Sequence, residues 1–226
     1  METRTTRIAL LDTETTGLEP NEVIEFAWVG LDDVTFNRQT NITCNKYNTD
    51  LTISYGAAAT HHILPCDLVY FPKFSADEIP AAEYLIGHNI DFDWKALGKP
   101  AGKRICTLAL SRRIWPTLDS HSLSAMFYFL FGMNDLSRTV LREAHSAFHD
   151  VAITHRILQC IVNKLEITSI EELYEKSEEA RIPTHMPFGK FKGLPISEVD
   201  KGWASWYRKQ SDTDPYIMIA LSRAGK

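Results

Sequence analysis

The chain has 226 residues, 44% hydrophobic, 11% aromatic and 23% charged, a composition that fits a globular protein with one full-sized core and excludes a disordered chain. A formal net charge of −5 argues against a general basic nucleic-acid binder, and the longest apolar run, around "AMFYFLFGM", is too short to span a bilayer. The polar start "METRTTR" carries no secretory signal, and Cys44, Cys66, Cys106 and Cys160 form neither a CxxC pair nor a zinc-like spacing, which points to reduced thiols in a cytoplasmic compartment.

"RIALLD" (7–12) predicts a buried strand. "TTGLEPN" (15–21) is its turn, punctuated by Gly17 and Pro20. "EVIEFAWVGL" (22–31) predicts a second strand and "TFNRQTNITC" (35–44) a third. "SYGAAATHHI" (54–63) predicts a short helix running into a loop. "AEYLIGHN" (82–89) is another apolar strand, and "DFDWKALGK" (91–99) opens a helix. "KRICTL" (103–108) reads as a strand feeding the helix "LALSRRIW" (108–115), which Pro116 stops. "HSLSAMFYFLFG" (121–132) is helical with a glycine stop. The clearest helix is "DVAITHRILQCIVNKL" (150–165), with Val151, Leu158, Val162 and Leu165 on one face and Ile157 and Ile161 beside them. Strands come first as a meander and then alternate with helices, the order of an α/β domain with a mixed sheet.

The composition then shifts. "TSIEELYEKSEEARI" (168–182) is acidic and helical in pattern, "PTHMPFGKFKGLP" (183–195) is rich in Pro, Gly and Lys, and "WASWYRK" (203–209) is aromatic and basic. We expect a main domain over 1–165 and an extension over 166–226, with a soft boundary between 165 and 185. The scattered lysines and arginines, Lys95, Lys99, Arg112 and Arg113 among them, read as solvated surface.

Two carboxylates end the first strand. Residues i and i+2 of a strand point to one face, so Asp12 and Glu14 project together. Like charges so close push one group toward protonation, and a hard divalent cation with oxygen ligands relieves that repulsion. Capping of the turn by one and solvation of the other is the plainer alternative. Asp93 lies at a strand-to-helix junction, where ligands of α/β sheets gather. Asp150 opens the strongest helix, with His145 five residues earlier. That spacing misses a shared helical face and suits a histidine on the preceding loop. For Asp150 alone a helix N-cap is a serious reading, and for His145 alone a surface site.

Together "DTETTGL", "HNIDFD" and "HSAFHD" resemble, in order and spacing, the three motifs of the DEDD superfamily of 3′→5′ exonucleases. The third motif is H-x(4)-D, not Y-x(3)-D, because Ser146 stands where a tyrosine would be needed; the resemblance is to the DEDDh type. It implies a ribonuclease H-like α/β fold, a mixed five-stranded sheet flanked by helices. It implies that Asp12, Glu14, Asp93 and Asp150 hold two Mg²⁺ ions, with Mn²⁺ as a substitute, and that His145 acts as general base or orients the water. Asp91 is the fallback for Asp93, since the two point roughly oppositely on a helix. Glu14 would meet the terminal 3′-hydroxyl, Leu18 would wedge against the terminal base, and Thr15, Thr16 and Asn89 would bond the sugar-phosphate. His61, in "ATHHI", matches the family's H-x-I element as a backbone contact or a structural histidine. Phe92 packs on a sugar or lies in the core, with the core favoured.

"ICTLALSRRIWP" and "FGKFKGLPISEV" look more like a bacterial DNA exonuclease of this type than like its shorter RNA-directed members. The implied partner is a DNA 3′ end, single-stranded or frayed, cut to nucleoside 5′-monophosphates in a bacterial cytoplasm, the gene being bacterial or phage-borne. The alternatives are a 3′→5′ exoribonuclease or oligoribonuclease acting on RNA, and a polymerase-associated proofreading subunit. In the extension, Phe188 and Phe191 alternate with Lys190 and Lys192, either to stack bases and pair phosphates or as a small hairpin under Trp203, Trp206 and Tyr207.

Overall fold

The structure, a computed structural model, describes residues 6–19, 21–142 and 144–226; of the sequence expectations, Pro20 lies outside them. One sheet of five strands runs in the order β3-β2-β1-β4-β5, with β1 Ile8–Thr15, β2 Val23–Leu31, β3 Thr43–Lys46, β4 Tyr84–Gly87 and β5 Lys103–Cys106. β1 pairs antiparallel with β2, and β2 with β3. β1 pairs parallel with β4, and β4 with β5. This is the mixed five-stranded sheet expected. Its central strands are covered on both faces, which is why their sequences read as continuous apolar runs.

The third strand, Thr43–Lys46, is shorter than the expected 35–44 and shares only residues 43–44 with it. Asp32 Oδ1 accepts the backbone N–H groups of Val34 (3.1 Å) and Thr35 (2.7 Å) and the Thr35 hydroxyl (2.9 Å), and so folds a turn there. Phe36 follows in a left-handed conformation (φ 56°) with its side chain fully buried. Local side-chain bonding to the backbone thus competes with an extended chain at the start of this segment.

The helices are α1 Tyr55–His61, α2 Pro65–Leu68, α3 Ile90–Ala96, α4 Thr107–Ile114, α5 Leu123–Phe131, α6 Asp135–Leu141, α7 Ala147–Leu165, α8 Ile170–Arg181, α9 Lys201–Tyr207 and α10 Pro215–Arg223. Side chains of Ser54, Ser122, Asn134, Asp200 and Asp214 cap five of them. α7 lies against β1 and β2 with Val151, Ile157, Leu158 and Ile161 fully buried. Among the described residues, no helix is long and apolar enough to cross a membrane.

The chain divides into two compact units, residues 1–177 and 178–226. The first runs past the limit of 165 because the start of the acidic helix α8 belongs to it. Ile170, Leu173 and Ser177 are buried, Ser177 Oγ accepts the Cys106 N–H at 2.8 Å, and Tyr174 meets Tyr84 edge-on at 6.1 Å. A chain cut after Leu165 should therefore lose the burial of Ile170 and Leu173, about 3 kcal/mol or more. We expect it to melt about 10 °C lower than a chain cut after Ile182; equal melting temperatures by calorimetry would show that α8 adds nothing to the first unit.

The second unit has its own core of Met186, Ile196, Val199, Ala204, Tyr207, Ile217, Ala220 and Leu221. "FGKFKG" forms the loop of a tight hairpin: Met186 N–H donates to Leu194 O and Gly193 N–H to Met186 O, both at 2.8 Å. Gly189 and Gly193 supply the positive φ values (68° and 83°) that this loop requires. Phe191 packs edge-on against Trp203, and Trp203 stacks on Tyr207 at 5.1 Å. The hairpin is thus built on Trp203 and Tyr207, while Phe188 and Trp206 keep exposed surface.

Candidate active site

Asp12 and Glu14 stand among the last four residues of β1, both half-buried, on the face the alternation predicts. The register of β1 against β2 shifts between Glu14 and Thr15, the last residue of the strand, so the irregularity falls beside the carboxylates. Asp150 comes from the first turn of α7. That helix begins at Ala147, with Ser146 in the cap position, so Asp150 is not its N-cap. His145 precedes the helix with φ 70°, and its backbone N–H donates to Asp150 Oδ1 at 3.2 Å. The loop histidine is thereby tied to the carboxylate.

Ligand atoms of Asp12, Glu14 and Asp150 all lie within 4.8 Å of one another. Asp93, buried on α3, stands beside this group and is held by Thr13, whose N–H and hydroxyl donate to Asp93 Oδ1 at 2.9 and 2.7 Å. Asp91 faces elsewhere: it pairs with Arg104, whose guanidinium lies 4.1 Å over the Trp94 ring. Three motifs far apart in sequence thus converge on one acidic site, with Asp93 rather than Asp91 turned toward it.

The electrostatics are those of an unneutralised cluster. Burial, then the charges of Asp93, Asp150, Glu14 and Glu25, hold the Asp12 carboxyl well above its ordinary value. Burial and then Asp150, Glu25 and Asp93 push Glu14 up to about 9. Burial raises Asp93 against the opposing Thr13 hydrogen bonds, and raises Asp150 against the His145 N–H. Such donors, all hard oxygens crowded into low dielectric, fit a divalent cation.

A folded-state value above the ordinary one means that the native chain holds protons the unfolded chain has released. The associated stability is present at low pH and is lost as pH rises, for Glu14 between 4.5 and about 9. We expect the metal-free protein to lose this part of its stability across that window and Mg²⁺ to restore it. Melting curves with EDTA and with Mg²⁺ check this, and a Mg²⁺-induced gain that does not grow with pH would contradict it.

Beside the cluster opens a cleft of about 390 Å³ lined by Glu14, Thr15, Leu18, Ser54, Ala57, His61 and Phe92 among others. Leu18 is 80% exposed at its rim, a placement that apolar burial alone does not explain. Phe92 is half-buried and lines the cleft, so the core reading of this residue gives way. His61 is buried, with Nδ1 accepting the Ile63 N–H at 2.9 Å and Nε2 facing Thr15 O at 3.2 Å. It ties α1 to the β1 turn while lining the cleft. Thr16 is not brought to it: the residue is 2% exposed and its hydroxyl accepts the Glu22 N–H. Asn89 stands outside the lining, exposed at the N-terminus of α3 with φ 73°. Lys95 and Lys99, read from sequence as plain surface, share a shallow groove with Glu19 and Asn21 on the β1–β2 turn. The sequence reading passed over Glu25, a fully enclosed carboxylate on β2 whose signal was a charge inside an otherwise apolar strand.

Acidic groups gathered from three motifs at one end of a ribonuclease H-like sheet are the arrangement of the DEDDh exonucleases, and this chain is similar to them in fold and in the placement of those groups. No protein-family model matches it. It is 29% identical over 221 residues to Exodeoxyribonuclease 10 of Escherichia coli K12, covering 95% of this chain and 96% of that one. The structure of exonuclease X in complex with 5′ overhanging duplex DNA is similar with a TM-score of 0.61 and 26% identity, over 75% of this chain and 99% of that one. The fold is shared with the nuclease domain of 3′hExo, a DEDDh family member, bound to rAMP (TM-score 0.53, 15% identity, 72% of this chain and 94% of that one).

Proposed function

We propose that the chain hydrolyses the terminal phosphodiester bond at DNA 3′ ends and releases nucleoside 5′-monophosphates. The observation that carries this is the cleft between Leu18 and Phe92, which opens directly onto Glu14 of the acidic cluster. A terminal nucleoside seated there would set its scissile phosphate at the carboxylates. Similarity to an exodeoxyribonuclease along nearly the whole chain favours DNA over RNA.

Asp12, Glu14, Asp93 and Asp150 would hold a pair of Mg²⁺ ions, which when bound supply positive charge to the reacting phosphate. His145, fixed to Asp150 through its backbone, would take the proton of the attacking water. Leu18 and Phe92 would grip the last base, and Thr15 and Glu14 would meet its sugar. Lys95 and Lys99 would take phosphates of the strand beyond the β1–β2 turn. Burial lowers the His61 imidazole below its ordinary value, and its two ring nitrogens face the Ile63 N–H and Thr15 O, which suits a positioning contact. The exposed Phe188 and Trp206 with Lys190 and Lys192 would add a second, sequence-independent contact to single strands. The setting is the cytoplasm of a bacterium, from a bacterial or phage gene.

The test incubates the protein with 5′-labelled DNA and RNA oligonucleotides, with Mg²⁺, Mn²⁺ or EDTA. A ladder of DNA shortened from its 3′ end, absent in EDTA, is the expected result. Internal cuts, activity in EDTA, or faster shortening of RNA would sink the reading.

A further inference from the structure

Among the described residues, Glu25 is a buried carboxylate beside the cluster that no step above uses. It is the third residue of β2, directly across the β1–β2 pair from Glu14, and is 4% exposed. A buried carboxylate needs a compensating partner. It has two: Oε2 accepts the backbone N–H of Ala147 at 2.7 Å, and Oε1 lies 3.9 Å from the ammonium of Lys46 on β3.

Ala147 is the first residue of α7, and its N–H is one of the donors that a helix leaves unpaired at that end. The Ser146 side chain makes no capping bond to the helix; its hydroxyl is engaged with His149 Nδ1 at 3.1 Å. Capping has thus passed from the helix's own sequence to a carboxylate on another element. That carboxylate is on the strand next to the one carrying Asp12 and Glu14. The held helix carries Asp150 in its first turn, and the residue two before Ala147 is His145. One side chain joins the two halves of the site. Glu25 is not in the group of carboxylates whose ligand atoms lie within 4.8 Å of each other.

We propose that Glu25, paired with Lys46, is the positioning residue that docks the N-terminus of α7 onto β2 and thereby sets Asp150 and His145 against Asp12 and Glu14. The inference rests on the proposed nuclease reaction for its kinetic part only. A glutamine at this position can still accept the Ala147 N–H; an alanine cannot. A shift of about 1 Å between catalytic groups is enough to slow a reaction about 10²-fold.

Glu25→Gln and Glu25→Ala are compared with wild type in two measurements, turnover on a 5′-labelled DNA oligonucleotide with Mg²⁺, and hydrogen exchange at the Ala147 amide without metal. We expect Glu25→Ala to lower kcat about 10²-fold with KM within about threefold, and its Ala147 amide to exchange at least about tenfold faster. Glu25→Gln should stay within about tenfold of wild type in kcat, with the amide still protected. A glutamine variant as inactive as Asp12→Ala would make Glu25 a charge-bearing participant and overturn the proposal. So would wild-type kcat, or unchanged Ala147 exchange, in Glu25→Ala. If Glu25→Ala does not fold, Glu25→Gln decides: active and protected supports the anchor, inactive or unprotected overturns it. Should wild type itself leave DNA uncut, the nuclease reading fails while the exchange comparison still reads the anchor.

Discussion

Asp12→Asn is expected to abolish cleavage and at the same time to make the metal-free protein more stable. The two effects have one origin. Asp12 is surrounded by Asp93, Asp150, Glu14 and Glu25, and burial with their charges raises its carboxyl well above the ordinary value. In the absence of a cation the ionised group is repelled from every side. An isosteric amide removes that repulsion, so the melting temperature in EDTA should rise. The same amide removes a negative ligand from a site that needs charge to hold cations, and the charge stabilisation they supply is several kcal/mol, about 10³-fold or more in kcat. The Mg²⁺-induced rise in melting temperature should shrink along with the activity. Loss of activity with a lowered melting temperature in EDTA would instead point to damage of the fold, and retained activity would remove Asp12 from the site.

The site was readable in sequence because each carboxylate lies in a short segment whose local geometry is self-contained. D-x-E on a strand shares one face, an Asp in the first turn of a helix after an apolar strand sits at a sheet end, and His145 with Asp150 spans a loop and a helix start. Topology then does the rest, since β1, α3 and α7 meet at that end of the sheet. Legibility failed where a residue's role depends on a distant partner. Glu25 has meaning only through Ala147, far along the chain, and Lys46 on the neighbouring strand. Thr16 sits in the motif like Thr15, yet its hydroxyl is spent on Glu22 across the turn. The third strand was overdrawn because an Asp32 turn competes with extension. The helices α9 and α10 went unassigned because the core of the second unit is shared among short elements, each too brief for periodicity to declare itself.

The remaining role to test is that of His145, and its backbone decides how. The residue has φ 70°, a conformation costly for most side chains and best tolerated by glycine and asparagine. Alanine would mix loss of the imidazole with backbone strain, so His145→Asn is the cleaner substitution. The bond to Asp150 Oδ1 comes from the backbone N–H, so the variant should keep it, and with it the acidic cluster. The Mg²⁺-induced rise in melting temperature and KM for DNA should therefore remain close to wild type, while kcat falls about 10²–10⁴-fold, the scale of a lost acid–base group. Added imidazole should recover part of the rate. If kcat is unchanged, the histidine has no part in proton transfer. If instead the metal response is lost with the activity, the residue's contribution is to hold Asp150, and the proton must leave the water by another route.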